Sequence, residues 1–220
     1  MHKTATTFLQ TEIFPNIKDV NFIHKFELGS KLYKDKINII SNEGFSGKTY
    51  HPFTDAQERY AKADRLKKMF PDAYVLIGTR NHLTWLPSLY SQYLKRGGIL
   101  KFDKWKEEVD PKYFDTDNYI KYLQNLFGTK KVYVYRFEEL KENPHKFLLG
   151  ICSFIGTDIP VYKNKVYQKG FTDGQKETMR RLNKIFHSKQ NPFGVIPFEP
   201  FRRLIDMVRK TDNPKRLRKI

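Results

Sequence analysis

Two polar residues, Arg80 and Ser88, lie eight positions apart where the sequence changes from a strand pattern to a helix pattern. Residues 73–79 (AYVLIGT) form a short apolar run, which is typical of a strand buried on both faces of a parallel sheet. The following residues, from Asn81 to about Leu94, carry apolar side chains at helical spacing, namely Leu83, Leu86, Tyr90 and Leu94. Arg80 is therefore expected at the carboxyl end of a strand, the edge where open α/β sheets bind ligands. Its guanidinium can hold a phosphate at two points, and the Ser88 hydroxyl can add a weaker contact.

The first ten residues, MHKTATTFLQ, contain a second set of groups that suit an anionic phosphate. Lys3 supplies a positive charge. Thr4, Thr6 and Thr7 supply hydroxyl groups and backbone amides at the start of an expected helix. Each motif also has an ordinary structural explanation: the first can be a surface arginine and a helix serine that never meet, and the second a threonine-capped helix. The two motifs therefore indicate a phosphate-binding site only when they are taken together.

Taken together, the motifs resemble those of the sulfotransferases that use 3′-phosphoadenosine 5′-phosphosulfate (PAPS). The segment Lys3-Thr4-Ala5-Thr6-Thr7 resembles the loop that binds the 5′-phosphosulfate group in that family. Arg80 and Ser88 resemble its 3′-phosphate motif in spacing and in order. Weaker similarity continues in three later segments, which are 88–93 (SLYSQY), 132–140 (VYVYRFEEL) and 180–183 (RRLN). The resemblance covers most of residues 2–185.

The resemblance implies a three-layer α/β fold of the P-loop nucleotide-kinase type, with a parallel sheet flanked by helices. It implies that PAPS is the donor, that 3′,5′-bisphosphoadenosine (PAP) is the product, and that the sulfuryl group passes in line to a hydroxyl or amine. Lys3 would also stabilise charge on the leaving phosphate. No cluster of histidine, cysteine and carboxylate residues has metal-ligand spacing, so no metal is expected. The implied donor-binding residues are Lys3, Thr4, Ala5, Thr6, Thr7, Phe8, Arg80 and Ser88.

A hydroxyl acceptor needs a base, because it is a poor nucleophile until its proton can leave. Residues 36–41 (KINIIS) are predicted to form a second strand, and Glu43 follows its carboxyl end. Glu43 thereby resembles the glutamate base of carbohydrate sulfotransferases. Two alternatives stay open: Glu43 is a solvated loop residue, or the base is His51, since histidine titrates in the useful pH range.

Three positions depart from the family pattern. Ala5 replaces a more usual glycine, which is costly if its φ angle must be positive. Phe8 stands where many members have a tryptophan near the adenine, and it either stacks on the base or belongs to the core. His82 stands where the family often has proline. In addition, a loop of this kind should follow a central strand, yet only two residues precede Lys3, so the first central strand is expected to be missing from this chain and encoded upstream.

The rest of the sequence alternates strand and helix patterns, which predicts a parallel sheet with helices on both faces. A capping box at Thr54–Gln57 begins a predicted helix that ends at about Met69. Further elements are predicted at 115 or 116–127 (helix), 131–135 (strand), 144–155 (helix) and 172–186 (helix). The 220 residues are expected to form one domain, 1–220, with a basic tail from about residue 209.

The formal net charge of +17 would attract a phosphorylated donor or an acidic glycan, and also an anionic membrane surface or nucleic acid. Residues 198–208 carry an apolar stripe ahead of the basic tail. This indicates a core-facing helix with a solvated tail or, alternatively, a membrane-surface contact. The resemblance favours a saccharide or glycolipid acceptor, and nucleic acid is not expected as a partner. The single cysteine, Cys152, is expected to be buried and favours a cytoplasmic location, and no apolar run is long enough to cross a membrane.

The sequence also fits two other functional classes. Gly47-Lys48-Thr49 matches the end of the P-loop of nucleotide triphosphatases, but the first glycine of that pattern would fall on Asn42. A nucleotide-dependent kinase or triphosphatase is therefore an alternative. The other alternative is a non-catalytic basic binding domain, including an inactive sulfotransferase.

Overall fold

The computed structural model describes residues 4–27, 29–47, 56–163, 171–188 and 190–197. These residues cluster into two compact units. The first unit contains the described residues among 1–49, 53–86 and 109–169. The second contains those among 87–108 and 170–220.

Four strands of the first unit form two parallel pairs. Strand β1 (Val20–His24) pairs with β2 (Ile37–Ser41), and β3 (Val75–Thr79) pairs with β4 (Val132–Arg136). Among the described residues, neither pair has a third strand. The protein is thus a mixed α/β structure with short parallel strand pairs, as the alternating pattern predicts, while a continuous three-layer sheet stays a prediction. Strand β1 was not expected from the sequence.

Helices connect and cover these strands. The first helical turn, α1 (Thr6–Phe8), continues as a π-helical segment (Leu9–Ile13) and a 3-10 turn (Phe14–Asn16). Other 3-10 turns lie at Glu43–Ser46, Pro111–Phe114 and Thr129–Lys131. The remaining helices are α2 (Ala56–Met69), α3 (His82–Lys95), α4 (Phe102–Glu107), α5 (Thr116–Phe127), α6 (Phe137–Glu142), α7 (Pro144–Ile155) and α8 (Asp173–Asn183). Two short strands, β5 (Phe186–His187) and β6 (Ile196–Pro197), pair in parallel.

Local capping residues explain why two helices begin and end where the sequence predicts. The Asp115 carboxylate accepts a hydrogen bond from the backbone N–H of Asn118 at 3.2 Å, and Gly128 ends α5 with a φ of 97°. The amide oxygen of Asn143 accepts from the backbone N–H of Lys146 at 2.9 Å, and α7 ends at left-handed Gly156. These are the N-caps and glycine C-caps that stabilise exposed helix ends.

Other predicted elements need correction. Helix α8 ends at Asn183 rather than near Phe186, because Phe186 belongs to β5. Leu83 was expected on the apolar face of α3, but 84% of its surface is exposed. Helices α4 and α6 were not predicted. The capping box at Thr54, the loop residues Lys48 and His51, and the basic tail lie outside the described residues.

The described residues of the first unit include two hydrophobic core clusters. One surrounds the helical segment that begins the chain, and the same cluster contacts both strand pairs, through Phe22 and Ile39 on one side and Leu76 and Tyr133 on the other. Its buried members are Phe8, Leu9, Ile13, Phe14, Ile17, Tyr135, Phe147, Leu148 and Ile151. The second core joins α2 and α5 to β3 and β4, with Ala63, Ile77, Tyr119, Leu123, Phe127 and Val132 buried. Burying these side chains supplies the main drive for folding the unit.

Arg59 on α2 is buried beneath this second core, with only 1% of its surface exposed. Its guanidinium donates to the backbone carbonyls of Lys112, Tyr113 and Asp115 at 2.8–2.9 Å. The guanidinium also lies 4.5 Å from the ring centre of Tyr119. A buried charge is tolerated only when it is well hydrogen-bonded, and here the charge binds the 3-10 turn that leads into α5 to helix α2.

The second unit contains its own buried polar network. Asn183, which is fully buried, donates from its side-chain amide to the carbonyls of Leu94 and Gly98 at 2.7 and 2.8 Å. Asn191 in turn donates to the Asn183 carbonyl at 3.0 Å. Trp105 packs against Tyr90 with the ring centres 5.4 Å apart.

Over the described part of the chain, no helix combines the length and apolar character needed to cross a membrane.

Candidate functional site

The predicted phosphate loop forms a tight turn ahead of α1. Ala5 adopts a left-handed conformation, with φ of 67° and ψ of 9°, and its carbonyl accepts the Leu9 N–H at 3.1 Å. The Thr4 side chain is fully buried, whereas Thr6 and Thr7 are partly exposed. The positive φ is the costly case anticipated for alanine at this position. Lys3 lies outside the described residues.

Tyr135 on β4 is buried in the hydrophobic core against which Ala5 packs. Burial raises the pKa of Tyr135 to about 12, since a phenolate is unfavourable in the interior, and hydrogen bonding from the Thr4 and Thr6 side chains opposes part of that rise. The ring also lies across Gly78 of β3, which faces Tyr135 in the strand register. A β-carbon at position 78 would overlap the ring, so glycine is required for this close approach.

Glu43 follows the carboxyl end of β2. It begins the 3-10 turn, where the Asn42 side chain caps by accepting the backbone N–H of Gly44 at 2.8 Å. The Gln10 side chain, one turn beyond the predicted loop, donates to the Ser41 hydroxyl at 2.9 Å. This hydrogen bond joins the helical segment after the predicted loop to the end of the strand that Glu43 follows.

Arg80 directly follows β3, at the carboxyl end predicted for it. Its guanidinium lies 4.4 Å from the ring centre of Phe137, and its Nε donates to the Thr84 hydroxyl at 3.2 Å. Burial lowers the pKa of Arg80, while the charge of Glu138 opposes that shift. The contact with Phe137 is a cation–π interaction, and the planar guanidinium of arginine is a group that can bind a phosphate at two points.

The turn after Arg80 is stabilised without the proline common in the resembled family. The backbone N–H of Asn81 donates to the Glu138 carboxylate at 3.0 Å, and the Asn81 side chain accepts the Leu83 N–H at 2.9 Å. Asn81 is therefore the N-cap of α3, and the helix begins at His82, one residue later than predicted. His82 packs against Trp85 with ring centres 5.9 Å apart.

Phe8 and Ser88 are the two other predicted donor contacts. Phe8 is 6% exposed and lies in the first core, with its ring edge-on to Tyr162 at 5.9 Å. This burial favours the core alternative over stacking on a base. Ser88 is partly buried on α3, in the part of the helix that belongs to the second unit.

Tyr135, Gly78 and Phe137 were not recognised from the sequence as parts of this site. A glycine inside the apolar run 73–79 signals a close approach of another group, so Gly78 could have been noticed. Tyr135 could not, because its partner across the sheet follows only from the register of two strands far apart in the chain.

An open groove elsewhere in the first unit does not suit the predicted donor. It has a volume of about 700 Å³ and lies between α2 and the start of α5. Its lining includes Tyr60, Asp64, Asp115 and Tyr122, and it contains none of the residues predicted to bind phosphate. Its described lining has two carboxylates, Asp64 and Asp115, against one cation, Lys112, so its charge does not favour an anion.

Comparisons with known proteins identify no family. No protein-family model and no curated protein matches the chain. Among solved structures, it is similar to a sulfotransferase from Alicyclobacillus acidocaldarius, at 19% sequence identity and a TM-score of 0.39. The matched region covers 62% of this chain and 57% of that chain, so it spans little more than half of the solved protein. A functional proposal must therefore stand on the residues of the site.

Proposed function

We propose that the protein is a PAPS-dependent sulfotransferase that transfers a sulfuryl group to a hydroxyl or amine of a saccharide or glycolipid. The observation that carries this proposal is the hydrogen bond from Gln10 to Ser41, which joins the segment after the Thr4–Thr7 turn to the end of β2 that Glu43 follows, together with Arg80 directly after β3. A threonine-rich turn and an ordered arginine suit the two phosphate-bearing ends of the donor. A carboxylate beside the turn suits removal of the acceptor proton.

Each residue has a distinct proposed role. The Thr4–Thr7 turn and Lys3 bind the phosphosulfate end and stabilise charge on the leaving phosphate, while Arg80 binds the 3′-phosphate. Glu43 accepts the proton of the acceptor as its oxygen or nitrogen attacks sulfur and the bond from sulfur to the leaving phosphate oxygen breaks. The products are the sulfated acceptor and PAP. In such an in-line transfer the protein acts mainly by positioning the partners.

Ligand-induced thermal stabilisation is the first test. PAP should raise the melting temperature more than ATP or 5′-AMP at equal concentration, because only PAP offers both phosphate groups in the proposed arrangement. A response to ATP that requires Mg²⁺ would favour the kinase or triphosphatase alternative. Equal responses to all three nucleotides, lost steeply with salt, would indicate a basic binding domain and contradict the proposal.

Substitutions separate the proposed base from the donor contacts. Glu43→Gln should reduce kcat at least about 100-fold, the scale of general-base catalysis, and leave PAP affinity nearly unchanged. Arg80→Lys keeps the charge but loses the two-point contact, so it should mainly weaken PAP binding, by about tenfold or more. Activity is measured with isotopically labelled PAPS and a panel of candidate acceptors. Glu27→Gln and Arg65→Lys are matched controls, since both residues are exposed in the first unit. Full activity of Glu43→Gln would show that Glu43 is not the base.

A further inference from the structure

We propose that Glu138 is a positioning residue for Arg80: its carboxylate holds the turn between β3 and α3 and thereby sets where the Arg80 guanidinium lies. The binding of a 3′-phosphate by Arg80 rests on the proposed function, whereas the holding of the turn does not. Glu138 was not among the residues predicted from the sequence to form the site.

The first argument is that Glu138 holds the backbone next to Arg80. Its carboxylate accepts the backbone N–H of Asn81 at 3.0 Å. Asn81 is the N-cap of α3, and the N–H groups at the start of a helix have no acceptor within that helix. The acceptor for this N–H comes from a segment 57 positions later in the chain, so the contact joins the two segments.

The second argument is a chain of hydrogen bonds from that backbone to the guanidinium. The Thr84 hydroxyl donates to the Asn81 carbonyl at 3.1 Å, and the same hydroxyl accepts the Arg80 Nε–H at 3.2 Å. Asn81 is thus held at its N–H by Glu138 and at its carbonyl by Thr84, and Thr84 in turn holds Arg80. Members of such a network stabilise one another, so the loss of one contact weakens the rest.

The third argument is that β4 and α6 determine where Glu138 lies. Thr79 and Arg136 are register partners at the carboxyl ends of β3 and β4, so Arg80 and Glu138 both follow the same edge of this strand pair. Glu138 lies in the first turn of α6. The residue before it, Phe137, contacts the Arg80 guanidinium at 4.4 Å from the ring centre. Two consecutive residues of α6 therefore contact Arg80 or the residue that follows it.

The charge of Glu138 has a second effect, which must be separated from its hydrogen bond. A carboxylate near Arg80 opposes the lowering of the arginine pKa by burial, and it also repels an anion bound there. Glu138→Ala and Glu138→Gln both remove this charge. They differ because the glutamine amide oxygen can still accept the Asn81 N–H, whereas alanine offers no acceptor. A comparison of these two variants therefore isolates the hydrogen bond.

PAP affinity of the two variants is the first measurement. Glu138→Ala should bind PAP about 3- to 10-fold more weakly than Glu138→Gln, which is the scale of one hydrogen bond. In turnover, KM for PAPS should rise by the same factor with kcat nearly unchanged, because the lost contact serves binding rather than the transfer step. Glu139→Ala and Glu139→Gln are the matched control pair and should bind PAP equally. Glu139 lies beside Glu138 on α6 and accepts the Arg136 N–H at 3.4 Å, so this pair also reports any effect of loosening the helix start.

Removal of the arginine tests whether Glu138 acts through it. In an Arg80→Ala background there is no guanidinium to position, so the difference between Glu138→Ala and Glu138→Gln in PAP affinity should disappear. If the same difference persists in that background, Glu138 does not act through Arg80 and the inference is wrong. Should Glu138→Ala fail to fold, Glu138→Asp keeps the charge and draws the carboxylate back by one methylene group. It should weaken PAP binding relative to Glu139→Asp, and equal affinities of these two variants would contradict the inference.

A measurement without ligand separates this inference from the proposed function. Hydrogen exchange of the Asn81 amide, followed by NMR, should be faster in Glu138→Ala than in Glu138→Gln, and the Nε–H group of Arg80 should become less ordered. If the unmodified protein does not bind PAP, the donor assignment fails, and this comparison still decides whether Glu138 holds the turn. Equal exchange in the two variants overturns the inference. Faster exchange in Glu138→Ala with equal PAP affinity also overturns it, because the turn would then be held without serving donor binding.

Discussion

The backbone of Ala5 shows how one residue can carry strain at a predicted site. Its φ of 67° would be unremarkable for glycine and is unfavourable for alanine. The sequence identified this position as a departure from the resembled family but could not decide its conformation. The structure makes it the residue whose substitution is most informative.

Replacing Ala5 with glycine should stabilise the protein by about 1 kcal/mol, because relief of the left-handed strain exceeds the added flexibility of the unfolded chain. Urea unfolding at neutral pH measures the change. Ala61→Gly is the matched control, since Ala61 is exposed in the middle of α2, and it should destabilise by about 1 kcal/mol instead. The same sign for both variants would contradict a strained turn.

At the scale of elements, one buried arginine joins α2 to the segment that leads into α5. Arg59 occupies a position that a helix pattern assigns to solvent as readily as to the core, and it was not recognised as structural. Its three carbonyl partners all lie at residues 112–115, more than fifty positions away in sequence. Contacts at such separation cannot be inferred from helical spacing, which describes only neighbours along one helix.

Arg59→Lys should therefore destabilise the protein by about 2–4 kcal/mol, because an ammonium group cannot reproduce the planar set of hydrogen bonds to three carbonyls. Chemical denaturation followed by circular dichroism measures the loss. Arg65→Lys, on the exposed face of the same helix, should have no measurable effect. If Arg59→Lys lowers the free energy of unfolding by less than Ala61→Gly does, the buried guanidinium is not a major source of stability.

At the scale of the whole molecule, alternating patterns predicted most of the elements but not the contacts that assemble the site. Helices α5 and α7 were located correctly because their caps and apolar spacing are local features. Strand β1 was missed because its sequence, VNFIH, mixes polar and apolar residues without a clear period. The close approach of Tyr135 to Gly78 depends on strand register, which a single sequence does not determine.

Buried tyrosines in both units should make the protein sensitive to alkali. Burial raises the pKa of Tyr90, Tyr119 and Tyr135 to about 12. In the unfolded chain these groups ionise near the ordinary tyrosine pKa of about 10. Above about pH 10 the unfolded state loses protons that the folded state keeps, and this favours unfolding. The contribution of these tyrosines to the free energy of unfolding is therefore unchanged below about pH 10 and falls as the pH rises toward about 12.

We expect the free energy of unfolding to fall by several kcal/mol over that interval, at about 1.4 kcal/mol per pKa unit for a fully buried group and less for the more exposed Tyr90. Unfolding experiments at high salt, which screens the net charge of +17, measure this dependence. Phenolate absorbance gives the titration itself. Tyr135→Phe should make the decline shallower, and an unfolding free energy that stays constant to pH 12 would contradict the burial of these groups.

The pairing of β3 with β4 also has a consequence for biosynthesis. Asn81 and Glu138, at the carboxyl ends of these strands, are separated by 57 residues. At translation rates of about 5–20 residues per second, β3 and its glycine leave the ribosome on the order of several seconds before their partner strand exists. During that delay an apolar segment has no neighbour, and closing so long a loop is intrinsically slow. The pairing of β3 with β4 is thus completed late on the nascent chain, and chaperone demand should be greatest before β4 emerges.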